Sequence, residues 1–482
     1  MVIYYKWGHK FVPHFSGEEC PMDQFKVGDK IELNIIDISS EGLGVGRHKG
    51  LAFFVEGGTL GDRVLFEIVE LKKRYGIGKT LEIIEKSPYR IGSKCEFFPQ
   101  CDGCQLQNLD YYKQLEFKKN IVENNLERIG KINNVVVKDT IGMEYPFRYR
   151  NKAEFKVEKN YKIGYYKRGT HDIVPVDKSI IQNKMVDDIL ILIKEYMKKY
   201  KVEGYDRKNK KGIIMNLLIR TTKYNKAMVV IVTKCENLPY KNELIKMLTF
   251  PDKRVSNISS NAIVSIYQNV KKNDTSVVLG AKDIKLYGED RILDYIGEYK
   301  FLISPKSFFQ INPVQTEVLY DKVVEYLSLN GNETIADLYC GIGTISLFIS
   351  KYAKKVYGVE IVKEAIEDAN ENKDLNGVNN VEFILGKSED ILPKLNKKGI
   401  KLDAIVVDPP RKGLDKLLIN SIIDANPEKI VYVSCNPSTL ARDLGYLVGK
   451  GYKVLEAQPV DMFPMSMHVE CVIEIQKVQS SK

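Results

Sequence analysis

From about Glu333 onward the chain alternates short apolar runs with helical stretches, and this alternation narrows the fold more than any other feature. Strand-like runs fall at Thr334–Leu338, Lys355–Val359, Val381–Leu385, Ala404–Val407 and Lys429–Val433, with helical segments such as Thr344–Lys351 and Lys363–Asn376 between them. Strands alternating with helices over about 150 residues argue a doubly wound, mostly parallel sheet, which predicts an α/β, Rossmann-like domain.

The rest of the 482 residues leaves room for further domains. Runs at Lys30–Ile38, Leu51–Val55, Arg63–Leu71 and Gly76–Ile84 alternate with turn signals at Glu41-Gly42-Leu43-Gly44, Gly57-Gly58 and Gly61-Asp62, as in a small β-barrel. Residues 87–300 mix a helical pattern at Tyr111–Ile129 and a basic one at Met185–Lys201 with β-like runs at Ala153–Val157, Ile213–Ile219, Ala227–Thr233 and Ala262–Gln268. The expected order is an N-terminal extension (1–21), a barrel (22–86), a mixed α+β central domain (87–300) and the α/β domain (301–482).

Hydrophobic residues at 44% and charged residues at 28% exclude a disordered or fibrous chain, and the net charge of +10 permits a polyanionic partner. Lys194–Lys226 interleaves basic residues with Tyr196, Tyr200, Tyr205 and Tyr224, which suits either a nucleic-acid groove or a solvated lysine face. No apolar run reaches the ~18 residues of a membrane span. The opening MVIYYKWGHKF lacks the apolar core of a signal peptide. A cytoplasmic enzyme, working as a monomer away from membranes, is expected.

The first α/β strand leads into Asp337-Leu338-Tyr339-Cys340-Gly341-Ile342-Gly343-Thr344. Glycines at a strand-to-helix turn let backbone approach a ligand closely, and Glu360, at the end of the next strand, is placed to accept bonds from ribose hydroxyls. Asp337 beside the turn would repel a pyrophosphate but attract a sulfonium or an ammonium group. S-adenosylmethionine therefore fits better than a dinucleotide.

Three further segments lie at strand ends. Asp408-Pro409-Pro410-Arg411 leaves the sheet at two prolines, so Asp408 stands at a strand's carboxyl end. Ser434-Cys435-Asn436-Pro437 puts Cys435 between a strand end and a helix N-terminus, whose dipole favours a thiolate. Glu470, in His468-Val469-Glu470 after Asp461-Met462-Phe463-Pro464, opens the last apolar run and could act as a general base once desolvated.

Together with Phe308-Phe309-Gln310-Ile311-Asn312, these motifs closely resemble those of the S-adenosylmethionine-dependent RNA uracil-C5 methyltransferases, and the N-terminal barrel is similar to their TRAM domain. The resemblance implies that Cys435 attacks C6 of uracil and that Glu470 removes the C5 proton. It implies that Gln310, Tyr339, Glu360 and Asp408, beside Asp337 and Gly341, line the cofactor pocket. It further implies that Asp408 reads the uracil edge, with Phe308 near the base and Arg148, Arg150 and Lys152 on the RNA backbone. The target uridine has to leave its stack to reach the cysteine.

Three of the eight cysteines, Cys95, Cys101 and Cys104, lie within ten residues. Such spacing in a reducing compartment reads as metal binding. It resembles the iron–sulfur segment of the ribosomal-RNA branch of this family, which implies a [4Fe–4S] cluster in a structural or RNA-contacting role. That branch has a fourth cysteine where this chain has Ser179. Ser179, a solvent ligand or Cys20 could complete the set; three cysteines with no evident His make a poor zinc site. The triad and the barrel favour 23S ribosomal RNA as substrate. Transfer RNA is the alternative, and a non-catalytic iron–sulfur RNA-binding protein is a third reading, against which intact Cys435 and Glu470 stand.

Overall fold

The structure is a computed structural model that describes residues 24–273, 275 and 277–478. The expected N-terminal extension, Cys20 included, lies outside the described residues. The described residues divide into two compact units, one formed by 24–114, 165–174 and 465–467, the other by those of 115–164, 175–464 and 468–478.

The first unit is built on β1 (Lys30–Asn34), β2 (Asp37–Ile38), β3 (Gly44–His48), β4 (Leu51–Glu56), β5 (Arg63–Lys72) and β6 (Tyr75–Glu85), in sheet order β1-β5-β6-β4-β3-β2. Alternate residues point inward: Leu51, Phe53 and Val55 from β4, and Val64, Phe66 and Ile68 from β5. Phe53 packs against Phe25 and Phe66, with ring centroids 5.3 and 5.2 Å apart. Three of the four expected runs are single strands, while Lys30–Ile38 breaks after Asn34 into β1 and β2, at opposite ends of the sheet order. β3 is an additional one, where the sequence had suggested only a glycine turn: a Cβ on Gly46 would lie 2.5 Å from the Asn34 carbonyl oxygen, so this glycine serves close strand packing.

In the second unit, α1 (Tyr111–Arg128) enters from the first and is followed by β7 (Val136–Val137). Next come β8 (Lys152–Glu158), β9 (Lys162–Tyr166), β10 (Ile173–Pro175, whose first two residues belong to the first unit), α2 (Lys184–Lys199), β11 (Ile214–Thr221), β12 (Ala227–Thr233), α3 (Lys241–Thr249), β13 (Ile263–Val270) and β14 (Lys282–Gly288). β9-β8-β11-β12-β13-β14 lie side by side in that order. β11 and β12 are buried along their whole length, as continuous Val/Ile/Leu runs require. α2 buries the stripe Val186, Ile189, Leu190, Ile193, Tyr196 and Met197. Tyr196 and Tyr205 are therefore core residues, and only Tyr224 of the four tyrosines is strongly exposed. That favours the solvated-face reading of Lys194–Lys226 over an aromatic nucleic-acid groove.

A hairpin of β15 (Ile292–Ile296) and β16 (Tyr299–Ile303) then leads through α4 (Pro313–Leu327) into β17 (Thr334–Leu338), α5 (Thr344–Ser350), β18 (Lys355–Glu360), α6 (Lys363–Leu375), β19 (Val381–Leu385) and α7 (Ser388–Lys397). β20 (Ala404–Val407), α8 (Lys416–Ala425), β21 (Lys429–Ser434), α9 (Pro437–Val448), β22 (Tyr452–Val460) and β23 (Glu470–Lys477) complete the chain. The sheet order is β19-β18-β17-β20-β21-β23-β22-β7, the expected doubly wound α/β arrangement, with β23 alone antiparallel to its neighbours. The order reverses between β17 and β20, so the crevice for a ligand opens at their carboxyl ends.

Under that crevice, Phe383 of β19 occupies the space that side chains on Gly343 and Gly358 would fill, with hypothetical Cβ atoms 2.4 and 2.5 Å from its ring. Gly358→Ala should therefore destabilise this unit by about 1–3 kcal/mol through overpacking, read as a lower denaturant midpoint; an unchanged midpoint would mean that Phe383 can move aside.

Candidate active site

Strand register decides which side chains meet. Leu338 at the end of β17 stands beside Val359 of β18 and Val407 of β20. The next residues in each strand, Tyr339, Glu360 and Asp408, therefore emerge at one edge of the sheet. In the antiparallel pair of β21 with β23, Ser434 faces Cys471. One step further along each strand lie Cys435 and Glu470, so a residue leaving one strand and a residue entering another reach the same edge.

On the cofactor side the chain turns through residues with positive φ at Tyr339 (66°), Gly341 (55°) and Gly343 (84°). The Tyr339 and Cys340 N–H groups both donate to the Val359 carbonyl, at 3.0 and 3.1 Å. Nothing lies within 4 Å of a Cβ placed on Gly341, so the turn faces open space. The Glu360 carboxylate accepts from the N–H groups of Gly341 (3.2 Å), Ile361 (2.8 Å) and Val362 (2.9 Å), and is held rigidly. Asp337 is fully buried; Ser346 donates to one carboxylate oxygen and the other has no partner. Burial, with Asp408 and Glu360 adding to it, pushes its carboxyl up to about 7. Gln310 makes a long 3.5 Å contact from its amide nitrogen to Asp408. An orphaned buried oxygen, a fixed carboxylate and an open glycine turn fit a ligand that brings its own donors and a positive charge.

Around Cys435 the charges are opposed. Burial pushes its thiol up to about 11, the Glu470 and Asp408 carboxylates add to this, and Arg411 works the other way. The helix-dipole argument for a preformed thiolate is thus outweighed in the free protein by desolvation and two acidic neighbours. Glu470 is itself raised well above the carboxylate range, by burial and by Asp408, and one of its oxygens is unpartnered. Arg411 reaches toward the ring of His468 (3.3 Å). Its carbonyl accepts from Asn436 (2.8 Å) and Thr439 (3.1 Å), and Asn436 caps α9 through the Ser438 N–H (3.1 Å). One asparagine therefore fixes both the cysteine's helix and the arginine's loop. Arg411 and Asn436 stood inside recognised motifs, but nothing in the sequence singled out their roles.

The comparisons with known proteins agree with this geometry. Residues 110–478 match the tRNA (Uracil-5-)-methyltransferase family model, and residues 24–81 match the TRAM domain. The chain belongs to the tRNA (uracil-5-)-methyltransferase family. An uncharacterized RNA methyltransferase of Clostridium acetobutylicum is 48% identical over 94% of this chain and 98% of its own length. One of Caldanaerobacter subterraneus is 46% identical over 95% of this chain and all of its own. Among solved structures, the Pyrococcus abyssi tRNA (uracil-54, C5)-methyltransferase in complex with S-adenosyl-L-homocysteine aligns over 92% of this chain and 100% of its own, with TM-score 0.73 and 29% identity.

Other expected residues of this family member lie less centrally. Phe308 is strongly exposed, whereas the adjoining Phe309 is core. The Arg148 guanidinium is bonded internally through Nη1, to the carbonyl of Ser179 (2.6 Å), the carbonyl of Gln182 (3.3 Å) and the Asp187 carboxylate (2.6 Å). Arg150 donates to the Lys152 carbonyl (3.0 Å), and the next residue, Asn151, donates to the carbonyl of Gln310 (3.0 Å). Ser179 is buried, with its N–H on Asp187 (2.9 Å).

In the first unit, Cys95 and Cys101 are half-buried and Cys104 is buried. Among the described residues no group of three or more His, Cys, Asp or Glu side chains could hold a metal ion, so the structure lends the expected iron–sulfur cluster no support.

Alkylation of Cys435 in the free protein should keep accelerating with pH up to about 11, instead of levelling near the ordinary thiol value of 9. Asp408→Asn removes one of the negative charges that raise the thiol and should move the profile down. Mass-spectrometric rates against pH check both; a profile that levels near 9 would contradict the electrostatics.

Proposed function

We propose that the protein methylates C5 of a uridine in RNA, using S-adenosylmethionine and a covalent link between Cys435 and C6 of the base. The observation that carries this reading is the meeting of Cys435, Glu470 and Asp408 at one sheet edge beside the Tyr339–Gly343 turn. The cofactor, when bound, supplies an electrophilic methyl group. Glu360 would hold its ribose hydroxyls, the free Asp337 oxygen would face its positive charge, and Gln310, Tyr339 and Gly341 would line its site.

Once the Cys435 thiol has released its proton to solvent, addition of the thiolate sulfur to C6 places carbanion character on C5, which makes an otherwise poor nucleophile reactive. Asp408 accepts from or donates to the uracil edge according to its protonation. Once C5 carries the methyl group, ionised Glu470 takes the C5 proton, and the C6–sulfur bond breaks to restore both the base and the thiolate. The elevated affinity of Glu470 for protons makes its carboxylate a stronger base than a surface glutamate.

RNA reaches this edge from the central region (87–300), with the TRAM region (22–86) adding affinity and residues 301–482 carrying the chemistry. Arg150 and Lys152, on the segment that Asn151 ties to Gln310, are the proposed phosphate contacts, Lys152 exchanging its ion pair with Glu154 (2.6 Å) for the phosphate. We place the target in 23S ribosomal RNA on the strength of the Cys95, Cys101 and Cys104 spacing, with Cys435→C6 chemistry in common with any substrate. Transfer RNA is the second reading, favoured by the Pyrococcus abyssi relative, a tRNA (uracil-54, C5)-methyltransferase whose alignment covers 92% of this chain. The barrel therefore does not discriminate between them.

Mixing the protein with S-adenosylmethionine and 5-fluorouridine-substituted fragments of ribosomal and transfer RNA should trap a methylated adduct on the true substrate, because fluorine at C5 blocks proton removal. An adduct on transfer RNA alone would overturn the ribosomal assignment and keep the chemistry. Cys435→Ala should abolish methylation with little change in cofactor affinity. Glu470→Gln should leave ordinary RNA attached to the denatured protein; full turnover by either variant would remove the role given to that residue.

A further inference from the structure

We propose that Lys118, on α1, is a positioning residue that sets Glu470 through a buried ion pair with Asp461, so that its loss impairs proton removal from C5 more than attack by Cys435. The inference rests on the covalent reading above and assigns a role to a buried charge which that mechanism does not use.

Lys118 lies on the buried stripe of α1 with Phe117, Val122 and Leu126, a stripe on which a lysine would ordinarily be excluded. Both Lys118 and Asp461 side chains are fully buried, with Nζ 2.5 Å from Asp461 Oδ1 and 3.1 Å from the Phe463 carbonyl oxygen. Asp461 directly follows Val460, and Val460 is the register partner of Glu470 in the β22–β23 hairpin. The ammonium thus grips the hairpin at the rung that carries the base.

Other bonds hold the same short segment. The Asp461 N–H donates to the Ile141 carbonyl (2.9 Å), and Gln315 donates to the Asp461 carbonyl (3.2 Å). Asn312, which caps α4 immediately after the Phe308–Ile311 motif, donates to the Met462 carbonyl (3.2 Å), and Tyr149 donates to that of Pro464 (3.0 Å). Within this set Lys118 contributes the charged member. Cys435 is held separately, by β21 and by the Asn436 cap of α9.

A buried ion pair is a weak source of stability but can select one geometry over near alternatives. A base displaced by about 1 Å can lose on the order of a hundredfold in rate. Desolvation lowers the Lys118 proton affinity while Asp461 raises it, so the pair is best removed as a unit, leaving no lone charge behind.

The test compares wild type, Lys118→Arg, and the double variant Lys118→Met/Asp461→Asn. Adduct formation on 5-fluorouridine RNA reads attack and methyl transfer. Tritium release from RNA labelled at C5 of uridine reads proton removal. The double variant should form the adduct within about twofold of wild type, release tritium at least tenfold more slowly, and accumulate a covalent methylated complex on ordinary RNA. Lys118→Arg should restore release. Equal loss in both assays, or loss in neither, would overturn the positioning role. A wild-type protein that forms no adduct on any RNA would instead remove the covalent reading on which the proposal stands.

Discussion

A strand that runs against its neighbours brings its first residue to the edge where theirs deliver their last. β23 does this between β21 and β22, and the candidate site depends on it. Were β23 parallel, Glu470 would lie at the opposite edge of the sheet, a full strand length from Cys435. The reversal also explains why the segment from Asp461 to Val469 is so heavily bonded: it is the connection that has to return the chain to the reactive edge at the correct height. Asn312 and Tyr149 reach it from the segments that lead to Gln310 and from the start of the central sheet, so the connection is fixed from several sides of the second unit.

The electrostatics of that edge favour a substrate-dependent nucleophile. Cys435 is surrounded by acidic groups and desolvated, so its thiol holds its proton in the free protein. The same burial raises Asp408 and Glu470, and Asp337 on the cofactor side is raised to about 7. A cationic cofactor lowers the cost of ionising every one of these groups, and Arg411 already opposes the rise at both Cys435 and Glu470. In the proposed reaction the site becomes reactive as its ligands arrive, which protects the half-buried Cys435 thiol from side reactions.

Much of this was legible in the chain itself. The five strand-like runs after Glu333 emerged within one residue of their observed bounds, because each is a short apolar-rich run closed by turn residues, whether fully buried like β20 or mostly uncovered like the edge strand β19. Glu360, Asp408 and Cys435 were legible for the same reason: each directly ends or follows such a run. Phe308 and Arg148 were less well placed by sequence, since a motif records that residues belong together without saying which face they occupy. The two readings of Lys194–Lys226 stayed open in the sequence, because it does not show that Tyr196 and Tyr205 are buried while Tyr224 is exposed. The cysteine triad shows the limit for ligand sets: the spacing suggests a cluster, and among the described residues no group of three or more His, Cys, Asp or Glu forms a metal site.

The sequence by itself determined the doubly wound sheet, the glycine turn, the proline-marked strand end and the cysteine at a helix cap, all of which depend on periodicity or on residues adjacent in the chain. Only the tertiary structure decided that Glu470 faces Cys435 and that Lys118 is buried against Asp461. It alone also showed that the thiol is held protonated. These depend on register between strands far apart in sequence, and on how much water packing removes from a charged group, and neither quantity is written in local residue order.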